Sequence, residues 1–233
     1  MDYYKELLHG REPSVGNSLD YGDYAVWLDA QRNTAEYESH RNYWKQRIQS
    51  LQVPSLPAAW RASGGTEDAS ALQSMVLPRA LTDSLLLIAQ RYHATFFHTV
   101  LAAFGLLLRA HQSSAQIVVE TPMSGRDQSE LEGIVGAFVN TLPLSFPVDA
   151  QMRFHELLRA VRDRVTDSLE HAQFRQEDML VDQESGSRDA SIEQSPIPVT
   201  FICQQDFVRP ITAGGVALTA IPSVSPGALR PLT

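Results

Sequence analysis

Apolar positions along this chain recur with two periods, and the change from one to the other marks its elements. Phe154, Leu157, Leu158, Val161, Val165 and Leu169 fall three and four residues apart, while Arg153, Glu156, Arg159 and Arg162 to Arg164 turn away from them. This spacing predicts an amphipathic helix. The same period predicts a helix over 79–92, with Leu81, Leu85 and Ile88 on one face. Another begins at Thr95, a good cap, and carries Phe96, Val100, Leu101, Phe104, Leu107 and Leu108. Apolar nearly all round, it is expected to be the most buried helix. Two earlier helices follow the same logic. One is capped by Asp23 and carries Tyr24, Trp27 and Leu28; the other, over 35–51, carries Tyr37, Tyr43, Trp44 and Ile48. Residues 2–9 form the tail of a short helix that stops at Gly10, with Pro13 beyond.

Short β-branched or apolar runs predict strands at 70–77, 116–120, 142–148, 198–207 and 216–221. The run at 116–120 should be fully buried, and 198–207 should be central. Pro143 and Pro147 put 142–148 at an edge or in an irregular position. A short helix over 176–181 precedes a polar, mobile loop over 182–196. The stretches 52–60, with Pro54 and Pro57, and 63–68 are connectors. Strands alternating with helices make the fold α/β, a sheet covered by helices.

Composition narrows the partners. The chain has 233 residues, 19 basic against 27 acidic, and a net charge of −8 without a basic stripe, which argues against nucleic acid. The lone Cys203 excludes an internal disulfide framework and points to a reducing, cytoplasmic setting. The N-terminal residues lack a signal-peptide layout, and the apolar run from Thr95 to Leu108 is shorter than the roughly 20 residues a bilayer needs. No membrane association is expected.

Standard catalytic patterns are absent. There is no phosphate-cradling glycine loop and no nucleophile elbow; Ser124 sits in a turn. The seven histidines form no i, i+4 metal pair. His93 and His98 flank a helix start and suit capping or packing. His155 falls on an exposed helix side. His171 ends its helix, where a cation favours the dipole. Cys203 reads as a small buried hydrophobe. Arg126 suits either a bidentate structural pair with a carboxylate or a phosphate contact, the pair being preferred. The stretch Gly133 to Leu144 is unusual, because it sets Asn140 and Thr141 in apolar sequence. A buried amide and hydroxyl need partners or a cleft to face.

Several stretches, in order, resemble the condensation domains of nonribosomal peptide synthetases. Tyr21-Gly-Asp23-Tyr24-Ala-Val-Trp27 is similar to the family's Y-x-D-Y-A-x-W, and Tyr43-Trp44-Lys45 follows at the usual distance. Thr121-Pro-Met-Ser-Gly125-Arg126 resembles the T-P-x-x-G-R turn. Gly136-Ala-Phe138-Val139-Asn140-Thr141-Leu142 matches G-x-F-V-N-T-L residue for residue. Ser195-Pro196 to Gln205 resembles N-P-L-F-x-x-x-F-x-x-Q-N more loosely, and Ser225-Pro226-Gly227 also has a family look. Departures exist. His171-Ala-Gln-Phe-Arg-Gln-Glu177 lacks the Pro-Phe of H-Q-x-x-P-F-E, arginine and asparagine before Pro196 are missing, and Ser145 stands where the family usually has arginine.

The resemblance implies a chloramphenicol acetyltransferase-like lobe, a mixed sheet covered by helices. The family joins two such lobes around a tunnel in which carrier proteins present thioester-bound substrates on phosphopantetheine arms and an amide forms. Its H-H-x-x-x-D-G element belongs to the first lobe and is not present in this sequence. Residues 1–233 are thus expected to be most of a C-terminal lobe, lacking the catalytic lobe and the last strand and helix, and inactive alone. Its partners would be the N-terminal lobe and peptidyl or aminoacyl carrier proteins, with no cofactor bound directly and no metal. The tunnel residues implied are Gly136, Phe138, Asn140 and Thr141; Asp23, Tyr24, Trp27 and Arg126 are implied to be structural, and no catalytic residue is assigned. The alternatives are a stand-alone module that binds carrier proteins or a partner lobe, and half of a split acyltransferase.

Overall fold

A computed structural model of the chain describes residues 6–12, 19–53, 73–175, 178, 197–203, 211–213 and 216–218. The predicted 182–196 loop, the 63–68 turn, and the chain end lie outside them, as does the 176–181 helix apart from residue 178. Of the predicted 2–9 helix, residues 6–8 are described; they are helical and the helix stops at Gly10, whose φ of +66° suits glycine.

Helix α1 (Tyr21–Gln31) begins two residues before its predicted cap. Asp20 is the N-cap: its Oδ1 accepts from the Asp23 N–H at 3.0 Å, and the Asp20 N–H donates to Asp23 Oδ2 at 3.0 Å. Two aspartates three apart satisfy two helix-end donors reciprocally, so Asp23 closes a capping box instead of starting the helix. Helix α2 (Ala35–Gln49) is capped by Thr34, whose Oγ1 accepts from the Tyr37 N–H at 3.2 Å. It buries Tyr37, His40 and Trp44.

Helices α3 (Arg79–Arg91) and α4 (Phe96–His111) start where the periodicity predicts. Thr95 and His98 form a capping box at the head of α4. Burial of α4 is one-sided: Leu101, Ala102 and Leu108 enter the core, but Leu106 and Leu107 remain 43% and 53% exposed. The helix packs on α3, on the helix Phe154–Glu170 and on the strand Gln116–Met123, and these neighbours leave one stripe uncovered.

Strands β1 (Gln116–Met123) and β2 (Asn140–Pro147) pair antiparallel from Gln116↔Pro147 to Met123↔Asn140. On the other side of β1, the Glu120 N–H donates to the Val199 carbonyl at 2.8 Å and the Phe201 N–H to the Glu120 carbonyl at 2.7 Å. That segment runs parallel to β1. Among the described residues β1 is therefore flanked on both sides, with residues 199–201 of the predicted 198–207 strand beside it. Among the described residues β2 lies at the edge that its prolines predict. The Val148 N–H donates to the Ala115 carbonyl, so with period two the nitrogens of Pro143 and Pro147 point away from β1, where no donor is needed.

Residues 73–77 of the predicted 70–77 strand form no ladder, and Met75 and Val76 are 82% and 91% exposed. Apolar alternation makes a strand only beside an edge that can take up its backbone groups. Of the predicted strand at 216–221, residues 216–218 form β4 (Val216–Leu218), which pairs antiparallel with β3 (Ile211–Ala213).

The main core lies between the β1–β2 face and helices α4 and α5 (Phe154–Glu170). Ile117, Val119, Leu144 and Phe146 meet Leu101, Leu158 and Val161, all at 1% exposure or less. Burial of each such side chain contributes about 1.5–3 kcal/mol. No single helix among the described residues is long and apolar enough to cross a membrane.

Candidate functional site

The motif residues, spread over more than a hundred positions of sequence, meet at the end of the sheet where β1 finishes and β2 begins. Gly125 turns the chain out of β1 at φ +63°, and a Cβ there would lie 2.0 Å from the Phe138 carbonyl oxygen. Only glycine fits both the angle and the approach. Arg126 then donates from Nη1 to the Leu131 carbonyl and lays its guanidinium 4.1 Å from the Phe138 ring centroid. Its partners are thus a carbonyl and an aromatic face, where the sequence had suggested a carboxylate. Phe138, 1% exposed, also receives the rings of Tyr24 at 4.6 Å and Tyr21 at 5.2 Å, the latter edge-on. The Tyr21 hydroxyl donates to the Ala137 carbonyl at 3.0 Å. Gly136 lies under the Tyr21 ring. Trp27, 37% exposed, leans on Tyr24 at 5.8 Å.

Asn140 is 4% exposed, and its amide is satisfied by backbone: Nδ2 donates to the Ala172 carbonyl at 2.8 Å and to the Phe174 carbonyl at 2.9 Å. Arg175 adds a bond from Nη1 to the Phe138 carbonyl at 3.3 Å. The turn after α5 is thereby stitched to the start of β2. Thr141, half-buried, sits opposite Pro122 in the ladder.

The same turn is held from α2. Trp44 Nε1 donates to the His171 carbonyl at 2.8 Å, and the His171 ring stacks on Tyr43 at 3.9 Å. Its Nδ1 lies 2.8 Å from Nδ1 of His40, so one ring donates and the other accepts. Burial, and then the His40 ring, push the His171 pKa down. His171 does cap α5, but the neutral ring is favoured there, not the dipole-paired cation that its position suggested. Further along, the Tyr37 hydroxyl donates to Asp178 Oδ2, and Arg32 Nη2 lies 3.2 Å from Asp178 Oδ1. Burial and the Asp178 carboxylate raise the Tyr37 phenol to about 12.

Other expectations are settled by packing. His98 caps α4, and burial followed by Arg162 lowers its pKa. His155 is half-buried, stacked on Tyr92 at 5.5 Å, where an exposed position was expected. Cys203 is partly exposed and not a buried core residue.

Between α1, the β1 turn and the turn after α5 opens a cleft of about 280 Å³, bordered by Tyr24, Trp27, Met123, Arg126, Asn140 and Arg175. The Tyr24 phenol is raised by burial, which outweighs the opposing Arg175 charge. Both Tyr24 and Tyr37 stay neutral near pH 7. Among the described residues no histidine or cysteine lines the cleft, and no group of three side chains could hold a metal. The arrangement can shape a ligand and hydrogen-bond it. Sequence reasoning overlooked Tyr21 and Arg175 as site residues; the available signal was Gly136, whose missing side chain leaves room for a ring.

A mixed sheet with helices α4 and α5 on one face defines a chloramphenicol acetyltransferase-like α/β lobe. The chain belongs to the condensation-domain family, whose profile matches residues 1–195. It is 31% identical over its whole length to tyrocidine synthase 3 of Brevibacillus parabrevis, and 33% identical over 84% of its length to surfactin synthase subunit 1 of Bacillus subtilis. It spans only 4% and 5% of those two proteins. Among solved structures, the first condensation domain of the calcium-dependent antibiotic synthetase, in complex with a substrate analogue, superposes with a TM-score of 0.69 at 25% identity. The match covers 92% of this chain and 46% of that one. VibH, a condensation enzyme, shares the fold with a TM-score of 0.63 at 22% identity, over 83% of this chain and 45% of VibH.

Proposed function

We propose that this chain supplies one wall of a peptide-synthetase condensation tunnel, in which the amine of one carrier-bound substrate attacks the thioester of another and forms an amide. The observation that carries the reading is the convergence of three family motifs on one cluster. Tyr21 and Tyr24, the Gly125-Arg126 turn, and Gly136 to Asn140 are held together by stacked rings and backbone bonds. The cluster's polar groups are engaged with backbone carbonyls and rings, which gives it a shaping role. It sets the shape and position of the chain segment that Asn140 and Thr141 begin, and these two residues line the substrate path.

The partners are a catalytic lobe carrying H-H-x-x-x-D-G, an element absent from the 233 residues here, and carrier proteins whose phosphopantetheine arms enter as substrates. Nothing in the cleft substitutes for that base. The chain alone therefore forms no amide. The test is incubation of the purified chain with two carrier proteins loaded with aminoacyl thioesters, followed by mass spectrometry of the arms. Dipeptide above the carrier-only background would sink the reading.

A further inference from the structure

At the opposite end of the β1–β2 ladder from the motif cluster, a second hollow of about 710 Å³ lies between α2, the entry to β1, the end of β2 and α5. Two guanidinium groups from different helices line it, Arg47 of α2 and Arg164 of α5, together with the buried Ser145 of β2. Nε and Nη2 of Arg47 are shielded from solvent and meet no acceptor. That guanidinium lies 5.5 Å from the Tyr43 ring centroid, a contact that does not use the in-plane N–H groups. Arg164 approaches a carboxylate, that of Asp167, only at 3.9 Å.

Shielded donors without an acceptor are costly, and a charged donor more so. The hollow's own groups do not relieve Arg47. Ser50 donates to the Arg47 carbonyl at 2.7 Å and Ser114 to the Gln116 carbonyl at 3.0 Å, while Gln116 Oε1 accepts from the Gln52 N–H at 3.0 Å. Guanidinium groups from two helices and a serine hydroxyl of β2 line the one hollow, a donor set that suits an oxyanion. The hollow is larger than a bare anion needs, so a phosphate bearing an organic substituent also fits.

We propose that this hollow binds a phosphate group, with Arg47 as its main anchor and Arg164 and Ser145 as further donors. The proposal stands apart from the condensation reading, because neither arginine lines the cleft of the motif cluster.

The experiment is titration of the chain with inorganic phosphate and, separately, with methyl phosphate, by calorimetry at fixed ionic strength in chloride. Saturable binding is expected. Arg47→Met should weaken it about tenfold or more, the loss of a charge-assisted contact. Arg164→Gln should weaken it too; this side chain is 43% exposed, so the variant keeps its far-ultraviolet circular dichroism even where Arg47→Met does not fold. Tighter binding of methyl phosphate would identify an ester as the source, and equal binding the free anion. Heat no greater than in the chloride control, or equal affinity in both folded variants and the parent, overturns the proposal.

Discussion

The Tyr21 ring lies directly on the backbone of Gly136: a Cβ at that glycine would stand 2.1 Å from Tyr21 Cδ2. This one contact joins α1 to the turn that leads into β2, and the Tyr21 hydroxyl reinforces it through the Ala137 carbonyl. Gly136→Ala should therefore destabilise the fold by about 1–3 kcal/mol through overpacking. In a Tyr21→Ala background the same change should cost much less, because the obstructing ring is gone. Urea unfolding of the four proteins reads this coupling; additive effects would contradict it.

Asn140 donates to two backbone carbonyls, those of Ala172 and Phe174. Asn140→Leu would leave both acceptors short, at a cost of about 1–3 kcal/mol for the buried Phe174 carbonyl and less for the half-buried Ala172 one. Asn140→Asp should be at least as harmful near neutral pH, since a carboxylate would face carbonyl oxygens. Hydrogen exchange checks the location of the effect: loss of protection should concentrate at 171–175 and the start of β2.

His98 and His171 both have lowered pKa values in the fold, from burial first and a neighbouring cation or ring second. The unfolded chain then binds protons more readily than the folded one below about pH 6.5. Stability should be full above that pH and fall as acid is added towards the folded-state values. Denaturant unfolding at a series of pH values from 7.5 to 5 measures the slope, and His171→Gln should flatten it. An unchanged slope in that variant would refute the assignment.

The Tyr37 phenol has the opposite sense at the alkaline end. Its value is raised to about 12 by burial and by Asp178, whereas an unfolded tyrosine ionises near 10. Stability should hold up to about pH 10 and decline as pH rises from there towards 12. Tyr37→Phe should remove that decline while losing the Asp178 hydrogen bond, as seen by alkaline titration of the unfolding midpoint.

Much of the scaffold was legible in the apolar spacing, because α3, α4 and α5 each present a stripe that must be buried. The edge position of β2 followed from Pro143 and Pro147 for a backbone reason that needs no tertiary knowledge. What stayed hidden depends on distant partners. Asn140 read as a polar oddity because its acceptors lie more than thirty positions away. The cap at Asp20 and the failed strand at 73–77 show the same limit: a good local signal loses when another residue or an absent neighbour decides the outcome. Arg126 was read as a partner for a carboxylate, since no spacing rule announces that Phe138 will pass beneath it.

The most direct measurement joins this chain to a lobe that carries H-H-x-x-x-D-G and follows dipeptide formation between two loaded carrier proteins. The account predicts product from the joined domain and none from either lobe alone, with the rate falling in the Gly136→Ala and Asn140→Leu variants that remain folded. Product from the catalytic lobe without this chain, or undiminished rates in both folded variants, would contradict it.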